Sequence, residues 1–184
     1  MDNGSDDYRH FLEGDKEALV RILTEYNDGL VLFLNKLVCD ICLSEEIAED
    51  VFCELLLKKP EYNGKSSFKT WLYAIAKHHA SKKLKYRSRF SNIPFDEHYE
   101  LADEVSIEAN HIRNEHKIIL HQALKRIKPE YSQVIYLTFF EGFTNSETAQ
   151  IMNKSNRQIE NLVYRAKKAL KKELEREGFT YENI

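Results

Sequence analysis

The sequence predicts an all-α protein built from two small helical domains. Apolar residues recur at spacings of three and four along most of the chain, which is the period of an amphipathic helix. The 184 residues include 6 glycines and 3 prolines, too few for the many turns of a sheet protein. The hydrophobic fraction of 42% supports a core, and the length fits one domain or two small ones, which excludes a large multidomain enzyme.

Two helices are predicted in the first third of the chain. Between Glu17 and Val38 the apolar residues form one wide buried face. Ser44 is predicted to cap a second helix, which Pro60 ends. The predicted core positions of this second helix are Ile47, Ala48, Val51, Phe52, Leu55 and Leu56, and its opposite face carries Glu45, Glu46, Glu49, Asp50 and Glu54. Such an acidic face is usually just solvated, but it would also complement a basic partner.

A third helix is predicted after the turn signal Asn63-Gly64, with Ser67 as its N-cap. Residues 62–95 contain eight lysines and arginines and no carboxylate, although the whole chain has a net charge of -3. This segregation of charge favours a polyanionic partner. Tyrosines among these cations suit the stacking of unpaired bases beside a phosphate backbone, whereas Phe68 and Trp71 fit the helix core better.

Helical periodicity is lost after the third helix. Residues 90–105 include Asn92-Ile93-Pro94 and are predicted to form a flexible acidic linker. The charge changes sign here, since residues 96–115 hold seven carboxylates and one arginine. We therefore place a first domain at residues 1–89 and a second domain at residues 106–184.

The second domain is predicted to contain a helix-turn-helix. Pro129 opens one helix at its first turn, and Gly142 ends it. Thr144-Asn-Ser-Glu147 and Ser155-Asn-Arg-Gln158 both have the pattern of a capping box, which predicts two further helices separated by a short turn. A short helix followed by a long basic one is the outline of a protein that binds duplex DNA.

The outward face of the last helix carries side chains that can contact base edges or phosphates. These predicted DNA contacts are Asn156, Arg157, Glu160, Asn161, Tyr164, Arg165 and Lys168. Lysines further along the helix would add attraction to phosphates without sequence preference. A solvated basic helix with no DNA partner remains the alternative interpretation.

Catalytic and metal sites find little support in the sequence. The chain has no P-loop, no dinucleotide-binding glycine motif and no nucleophile elbow. Cys39, Cys42 and Cys53, with His78 and His79, could supply zinc ligands, but their spacing matches no zinc motif. We interpret the cysteines as reduced, buried core residues, and we predict no metal, no cofactor and no enzyme activity.

Six short motifs in this order resemble those of an extracytoplasmic-function sigma factor, a two-domain member of the sigma-70 superfamily of bacterial RNA polymerase. They are Gly14-Asp-Lys-Glu-Ala18, Ala48-Glu-Asp50, Phe68-Lys-Thr-Trp-Leu-Tyr-Ala-Ile-Ala76, Pro129-Glu-Tyr131, Glu141-Gly142 and Tyr164-Arg-Ala-Lys-Lys-Ala-Leu170. No single motif is specific, but together they span nearly the whole chain.

The resemblance implies a role for each domain. The first would be the sigma-two domain, whose acidic helix docks on core RNA polymerase through Glu49, Asp50 and Glu54, and which melts and captures the minus-ten strand of the promoter. The implied minus-ten contacts are Lys65, Lys69, Tyr73, Lys77, His78, Lys82 and Lys85. The second would be the sigma-four domain, whose recognition helix enters the major groove of the minus-thirty-five element.

The resemblance also implies an acidic linker in the RNA exit path and an inhibitory anti-sigma partner. Promoter preference is harder to transfer, because His78 replaces a usual asparagine and Lys82 a common aspartate. No window of the sequence reaches the roughly 18 apolar residues of a membrane span, so we expect a cytoplasmic protein without membrane insertion. Two other classes remain open, a stand-alone helix-turn-helix regulator and a thiol or metal sensor.

Overall fold

The computed structural model describes residues 3–90 and 111–179, with the side chains of residues 3–88 and 118–179. All regular structure in these ranges is helical, which confirms the all-α prediction. The helices are α1 (Asn3–Glu13), α2 (Lys16–Val38), α3 (Ile41–Lys58), α4 (Phe68–Phe90), α5 (His111–Arg126), α6 (Pro129–Ile135, continued by the π-helical turn Tyr136–Phe140), α7 (Asn145–Met152) and α8 (Asn156–Arg176). We call α1–α4 the first lobe and α5–α8 the second lobe.

The first lobe is built around α2, whose predicted helical span is confirmed. Asp15 caps the helix by accepting a hydrogen bond from the Glu17 amide, and Cys39 ends it in the left-handed conformation at φ 52°. The sequence did not predict α1, which packs against α2 and α4. Tyr8 and Phe11 are the buried anchors of α1.

The start of α3 corrects one prediction. Asp40, not Ser44, is the N-cap and accepts a hydrogen bond from the Leu43 amide. Ser44 is buried inside the helix, where its hydroxyl donates to the Asp40 carbonyl at 2.7 Å. Leu56 was predicted to be a core residue, but its side chain is 49% exposed. The other predicted core positions of this helix are buried.

The N-terminus of α4 follows the predicted pattern. Ser67 Oγ accepts a hydrogen bond from the Thr70 amide, and the helix begins at Phe68. Phe68 is fully buried, and its ring packs against those of Tyr8 and Trp71 at centroid distances of 5.4 and 5.5 Å. Phe68 and Trp71 therefore belong to the core cluster or pack directly against it, as the sequence predicts.

The helix-turn-helix prediction is confirmed in the second lobe. Thr144 and Ser155 each form a complete capping box, the first with Glu147 and the second with Gln158. Asn153, at φ 52°, ends α7 and turns the chain toward α8. Gly142 has a φ of 73°, which an L-residue side chain disfavours, and it ends the π-helical turn after α6.

The cysteines do not lie where the sequence analysis placed them. Cys42 and Cys53 are exposed on α3, and Cys39 is half-buried at the C-cap of α2. The prediction of three buried core thiols is therefore wrong. The side chains of these residues are free thiols in the structure.

The two lobes share one continuous hydrophobic core among the described residues. Helix α7 packs on α4, and α6 packs on α2. Phe143 of the second lobe stacks edge-on against Tyr73 of the first, with ring centroids 5.1 Å apart. The predicted linker, residues 90–105, lies outside the described residues except for Phe90. No helix in residues 3–90 and 111–179 is long and apolar enough to cross a membrane.

Candidate nucleic-acid and partner interfaces

The first candidate interface is the outward face of α8. Ile159, Leu162 and Ala166 are buried and fix the orientation of the helix against α6 and α7. This orientation leaves all seven predicted DNA contacts exposed, namely Asn156, Arg157, Glu160, Asn161, Tyr164, Arg165 and Lys168. The sequence therefore identified the exposed face of this helix correctly.

The cations of this face are available to a ligand. Within the described residues, Arg157, Arg165 and Lys168 have no carboxylate partner. The amide nitrogen of Asn161 donates to the Arg157 carbonyl at 2.9 Å, which orients this side chain at the start of the helix. Cations without internal partners on one face of a capped helix suit the binding of DNA phosphates and base edges.

The second candidate interface is the basic surface of α4. Lys65, His78, Lys82 and Lys85 are exposed. Three other predicted contacts of this surface, Lys69, Tyr73 and Lys77, are covered by the second lobe, and Tyr73 is only 1% exposed. In this arrangement Tyr73 cannot stack on a base, so the structure does not place it on a binding surface.

Two further cations of α4, Lys83 and Arg87, bind the acidic helix α3. Lys83 Nζ lies 2.6 Å from Glu46 and 3.5 Å from Asp50, and Arg87 lies 3.4 Å from Asp40. The hydrogen bond that Lys83 donates to Glu46, with the nearby charge of Asp50, raises the pKa of Lys83. The basic stretch of the sequence thus has two faces, one holding α3 and the other directed toward the second lobe and solvent.

The third candidate interface is the outward face of α3. Glu49 and Asp50 are exposed, whereas Glu54 is half-buried beside His79. Glu49 has no ion-pair partner within the described residues. Hydrogen bonding from His79 is the largest cause that lowers the pKa of Glu54, and Lys58 contributes. Of the three predicted contacts, Glu49 is therefore the most available to a partner, and Glu54 is already engaged.

Exposed apolar residues extend this face, a feature that the sequence analysis missed. Leu57 is 79% exposed, and it follows Glu49 and Cys53 at intervals of four residues along α3. Leu56 lies beside it and is also exposed. Apolar side chains bordered by carboxylates are typical of a protein-binding surface. We call Glu49, Asp50, Cys53, Leu56 and Leu57 the α3 face.

Two functional candidates of the second lobe also escaped the sequence analysis. Glu141 binds Lys69 across the lobes at 2.7 Å, and Glu147 accepts hydrogen bonds from Thr70 and Ser67 at 3.2 and 3.3 Å. Glu147 fits its capping box and Glu141 a helix end, so neither residue carries a local signal for a contact with α4. Their contacts with α4 depend on how the two lobes pack together, which the local sequence does not indicate.

The environment between the lobes changes several pKa values. Burial, followed by the charge of Glu141, raises the pKa values of Tyr73 and Tyr136. Burial lowers the pKa of Lys77. Burial alone would raise the pKa of Glu147, but hydrogen bonds from Thr144, Thr70 and Ser67 outweigh it and lower the pKa.

No metal site accompanies these surfaces in the part of the chain that the structure describes. No group of three or more His, Cys, Asp and Glu side chains comes together there in a way that could hold a metal ion. A cleft of about 330 Å³ lies between the lobes and is lined by Tyr26, Gly29, Lys69, Tyr73 and Glu141, among others. The surfaces therefore suit macromolecular binding better than small-molecule chemistry.

Comparison with known proteins identifies a family match in the second lobe and relatives along most of the chain. The family described as Sigma-70, region 4 matches residues 117–170, which include the helix-turn-helix. The chain is 25% identical over 171 residues to the RNA polymerase sigma-H factor of Pseudomonas aeruginosa, covering 88% of this chain and 89% of that protein. It is 27% identical over 171 residues to the ECF RNA polymerase sigma factor SigX of Bacillus subtilis, covering 87% and 85%.

A solved structure shows the same fold. It is the co-crystal structure of the sigma factor RpoE in complex with the anti-sigma factor NepR from Bartonella quintana. The match covers 84% of this chain and 95% of that chain, with a TM-score of 0.65 at 19% identity. Together, the helix-turn-helix and these relatives define the class of the protein, a transcription initiation factor of the sigma-70 family. Within that family, the chain is an extracytoplasmic-function sigma factor.

Proposed function

We propose that this sigma factor binds core RNA polymerase through the α3 face and directs it to promoters in the cytoplasm. The protein would supply specificity and strand capture, with no catalysis of its own. Residues 1–89 would act as the sigma-two domain, residues 90–105 as the linker and residues 106–184 as the sigma-four domain. The observation that carries this proposal is the face of α8, where all seven predicted contacts are exposed and three cations lack internal partners.

Docking on polymerase would use Glu49 and Asp50, with Leu56 and Leu57 as the apolar part of the contact. Glu49 supports this role best, because it is exposed and no described residue pairs with it. Glu54 would act differently from the sequence-based prediction. Its contact with His79 holds α3 against α4, so that the docking helix and the DNA-binding helix move as one body.

Promoter recognition would use both lobes. The face of α8 would enter the major groove of the minus-thirty-five element, with Arg157 and Arg165 suited to guanine and Asn161 to adenine. Lys65, Lys82 and Lys85 would bind phosphates of the melted minus-ten strand, with His78 beside them. Lys69, Tyr73 and Lys77 would join this surface only after the second lobe moves away.

An anti-sigma partner is part of this proposal. The relative of known structure, RpoE, was crystallised with the anti-sigma factor NepR. For this chain, an inhibitor would have to cover the α3 face or a cationic surface to prevent initiation. The acidic residues 96–115 would occupy the RNA exit path until the transcript displaces them.

The proposal is tested by run-off transcription with core bacterial RNA polymerase on a library of genomic fragments. Transcript starts are sequenced with and without the protein. We expect protein-dependent starts that share two upstream elements at a fixed spacing. Binding to duplex DNA without any new start would instead indicate a stand-alone helix-turn-helix regulator.

A charge reversal separates docking from folding in the same assay. Glu49→Lys should abolish the protein-dependent starts and the binding to core polymerase, because it places a cation where the partner is expected to be basic. Glu49 suits this test better than Asp50, because Asp50 lies near Lys83. The matched control is Glu13→Lys, which changes an exposed carboxylate at the end of α1 and should leave the starts unchanged.

A further inference from the structure

One carboxylate lies within the cationic outward face of α8. Glu160 is exposed, and it lies one helical turn after Asn156 and Arg157 and one turn before Tyr164, which are exposed too. Burial of Ile159, the preceding residue, fixes this turn of the helix against the rest of the second lobe. If the face of α8 enters the major groove as proposed, the Glu160 carboxylate enters it together with these neighbours.

Glu160 has no cation partner within the described residues, unlike the other two carboxylates of α8. Those two bind Arg176 and Lys171 near the end of the helix, at 2.8 and 3.8 Å. Arg157 precedes Glu160 by three residues, a spacing at which an ion pair can form, yet the two side chains are not paired. The structure therefore leaves one negative charge without neutralisation on a surface that is otherwise suited to phosphates.

The stability of α8 does not account for this carboxylate. The capping box of Ser155 and Gln158 already completes the start of the helix. Glu160 is the fifth residue of the helix, beyond the first turn in which the helix dipole favours a negative charge. DNA phosphates repel a carboxylate that approaches them. In a complex with DNA, Glu160 is therefore stabilising only where it accepts a hydrogen bond from a base.

Two amino groups in the major groove can donate to such an acceptor, N4 of cytosine and N6 of adenine. In an A·T pair the amino group lies between two acceptors, adenine N7 and thymine O4. In a G·C pair the cytosine amino group has one acceptor beside it, guanine O6, and the C–H edge of cytosine on its other side. A carboxylate has only acceptor oxygens, so it is repelled less at cytosine than at adenine.

We infer that Glu160 is a specificity-determining residue that accepts a hydrogen bond from cytosine N4 in the minus-thirty-five element. This inference rests on the proposed function of α8 and adds the base that its carboxylate selects. Arg157, proposed above for guanine, precedes Glu160 by about 4.5 Å along the helix axis. Successive base pairs are about 3.4 Å apart, so Glu160 contacts the base pair next to that of Arg157. Thymine is rejected most strongly there, because its O4 acceptor replaces the amino donor.

Selection from a promoter library tests this assignment. The minus-thirty-five element of a promoter found by run-off transcription is randomised, the library is bound by reconstituted holoenzyme, and the bound fraction is sequenced. The wild type should prefer cytosine to thymine at one position by about fivefold or more. Glu160→Gln should bind cytosine and thymine alike, because an amide both donates and accepts. Glu160→Ala should lose the preference at that position.

A matched control separates base contact from a general effect of charge. Glu175→Gln removes an exposed carboxylate near the end of α8 and should keep the wild-type base preferences. Thermal unfolding checks that each variant is folded. An unchanged cytosine preference in Glu160→Ala would overturn the inference. So would a loss confined to the base pair that Arg157→Ala also affects, since Glu160 would then position Arg157 instead of contacting a base.

The same selection with the chain alone on random duplex DNA distinguishes failure of this inference from failure of the proposed function. A cytosine preference that depends on Glu160, in a chain that never supports protein-dependent starts, would contradict the proposed function and support the base contact. Protein-dependent starts with base preferences that Glu160→Ala leaves unchanged would support the proposed function and overturn the base contact.

Discussion

His79 Nε2 lies 2.7 Å from Glu54 Oε2, in a contact that joins α3 to α4. The contact continues along the two helices through Lys83 with Glu46, at 2.6 Å, and Arg87 with Asp40. The helix proposed to dock on polymerase and the helix proposed to bind the promoter strand are therefore tied by successive polar contacts. A partner bound to the outward face of α3 would therefore also hold α4 in position.

Glu54→Gln should weaken the contact between α3 and α4 without removing a residue proposed to contact polymerase. We expect the free energy of unfolding at pH 7 to fall by up to about 1 kcal/mol in urea denaturation, since both side chains keep some contact with solvent. The native pKa of Glu54 is lowered, chiefly by His79, so its contribution is complete above the ordinary value of 4.5 and is lost as the pH falls below it. A difference from wild type that stays constant between pH 7 and pH 3 would contradict this explanation.

Helix positions followed from the sequence wherever a local signal was decisive. The capping boxes at Thr144 and Ser155 and the left-handed Gly142 depend on residues within a few positions of each other. The predicted N-cap of α3, Ser44, was wrong. Asp40 and Ser44 are both residue types that favour an N-cap, and the helix begins after the earlier one. Helix α1 was missed because the acidic residues at its start conceal two isolated anchors, Tyr8 and Phe11.

The candidate interfaces were predictable to different extents. The outward face of α8 was predicted fully, because its core residues set its orientation. The surface of α4 was predicted only in part, since burial of Tyr73 depends on contact with the second lobe far along the chain. Cys53 and Leu56 were placed in the core because an apolar residue on a helix resembles a core residue in sequence. Their exposure follows from how α3 packs, which periodicity alone does not determine.

Tyr8 should be an important anchor of the first lobe. Its side chain is 1% exposed, and its hydroxyl donates to the Pro60 carbonyl at 2.7 Å, while burial raises its pKa to about 12. Tyr8→Phe should cost about 1 kcal/mol by removing this hydrogen bond. Tyr8→Ala should cost roughly 3–5 kcal/mol through the cavity it leaves. Thermal unfolding measures both changes, and equal costs would show that the hydrogen bond accounts for the whole effect.

Cys53 offers a direct probe of the α3 face. In a variant whose remaining cysteines are Ser, with Cys53 as the single thiol, bound core polymerase should slow maleimide labelling at least tenfold. Labelling with a bulky maleimide before mixing should prevent polymerase binding, because Cys53 lies between Glu49 and Leu57 on the exposed face. A thiol introduced by Glu13→Cys in a background without other cysteines serves as the control and should label at the same rate with or without polymerase. Equal labelling of Cys53 in both states would place the polymerase contact elsewhere.

Gly29→Ala should open the contact between the lobes. A Cβ at position 29 would lie 2.6 Å from the Tyr73 hydroxyl oxygen and 2.9 Å from a Glu141 carboxylate oxygen. The tyrosine ring is packed, so the carboxylate should be displaced from Lys69. We expect a lower yield of the Lys69–Glu141 cross-link when the full chain is treated with a carbodiimide, which joins a lysine to a carboxylate in contact with it. Asn27→Ala, on the same helix, controls for the gain in helix propensity. An unchanged cross-link yield in Gly29→Ala would show that the contact between the lobes adapts to the added methyl group.

Arg157 and Lys172 should contribute differently to promoter binding by the reconstituted holoenzyme. Both are exposed on α8, so neither Ala variant should change stability, but Arg157 lies in the first turn and Lys172 four turns later. Arg157→Ala should cost about 1–3 kcal/mol on the preferred promoter and relax the preference at one base pair. Lys172→Ala should weaken binding to all DNA sequences alike. It should also reduce the slope of log affinity against log salt concentration by about 1. Titrations with promoter variants at several salt concentrations distinguish these effects, and a uniform loss for Arg157→Ala would assign that residue to phosphate rather than to a base.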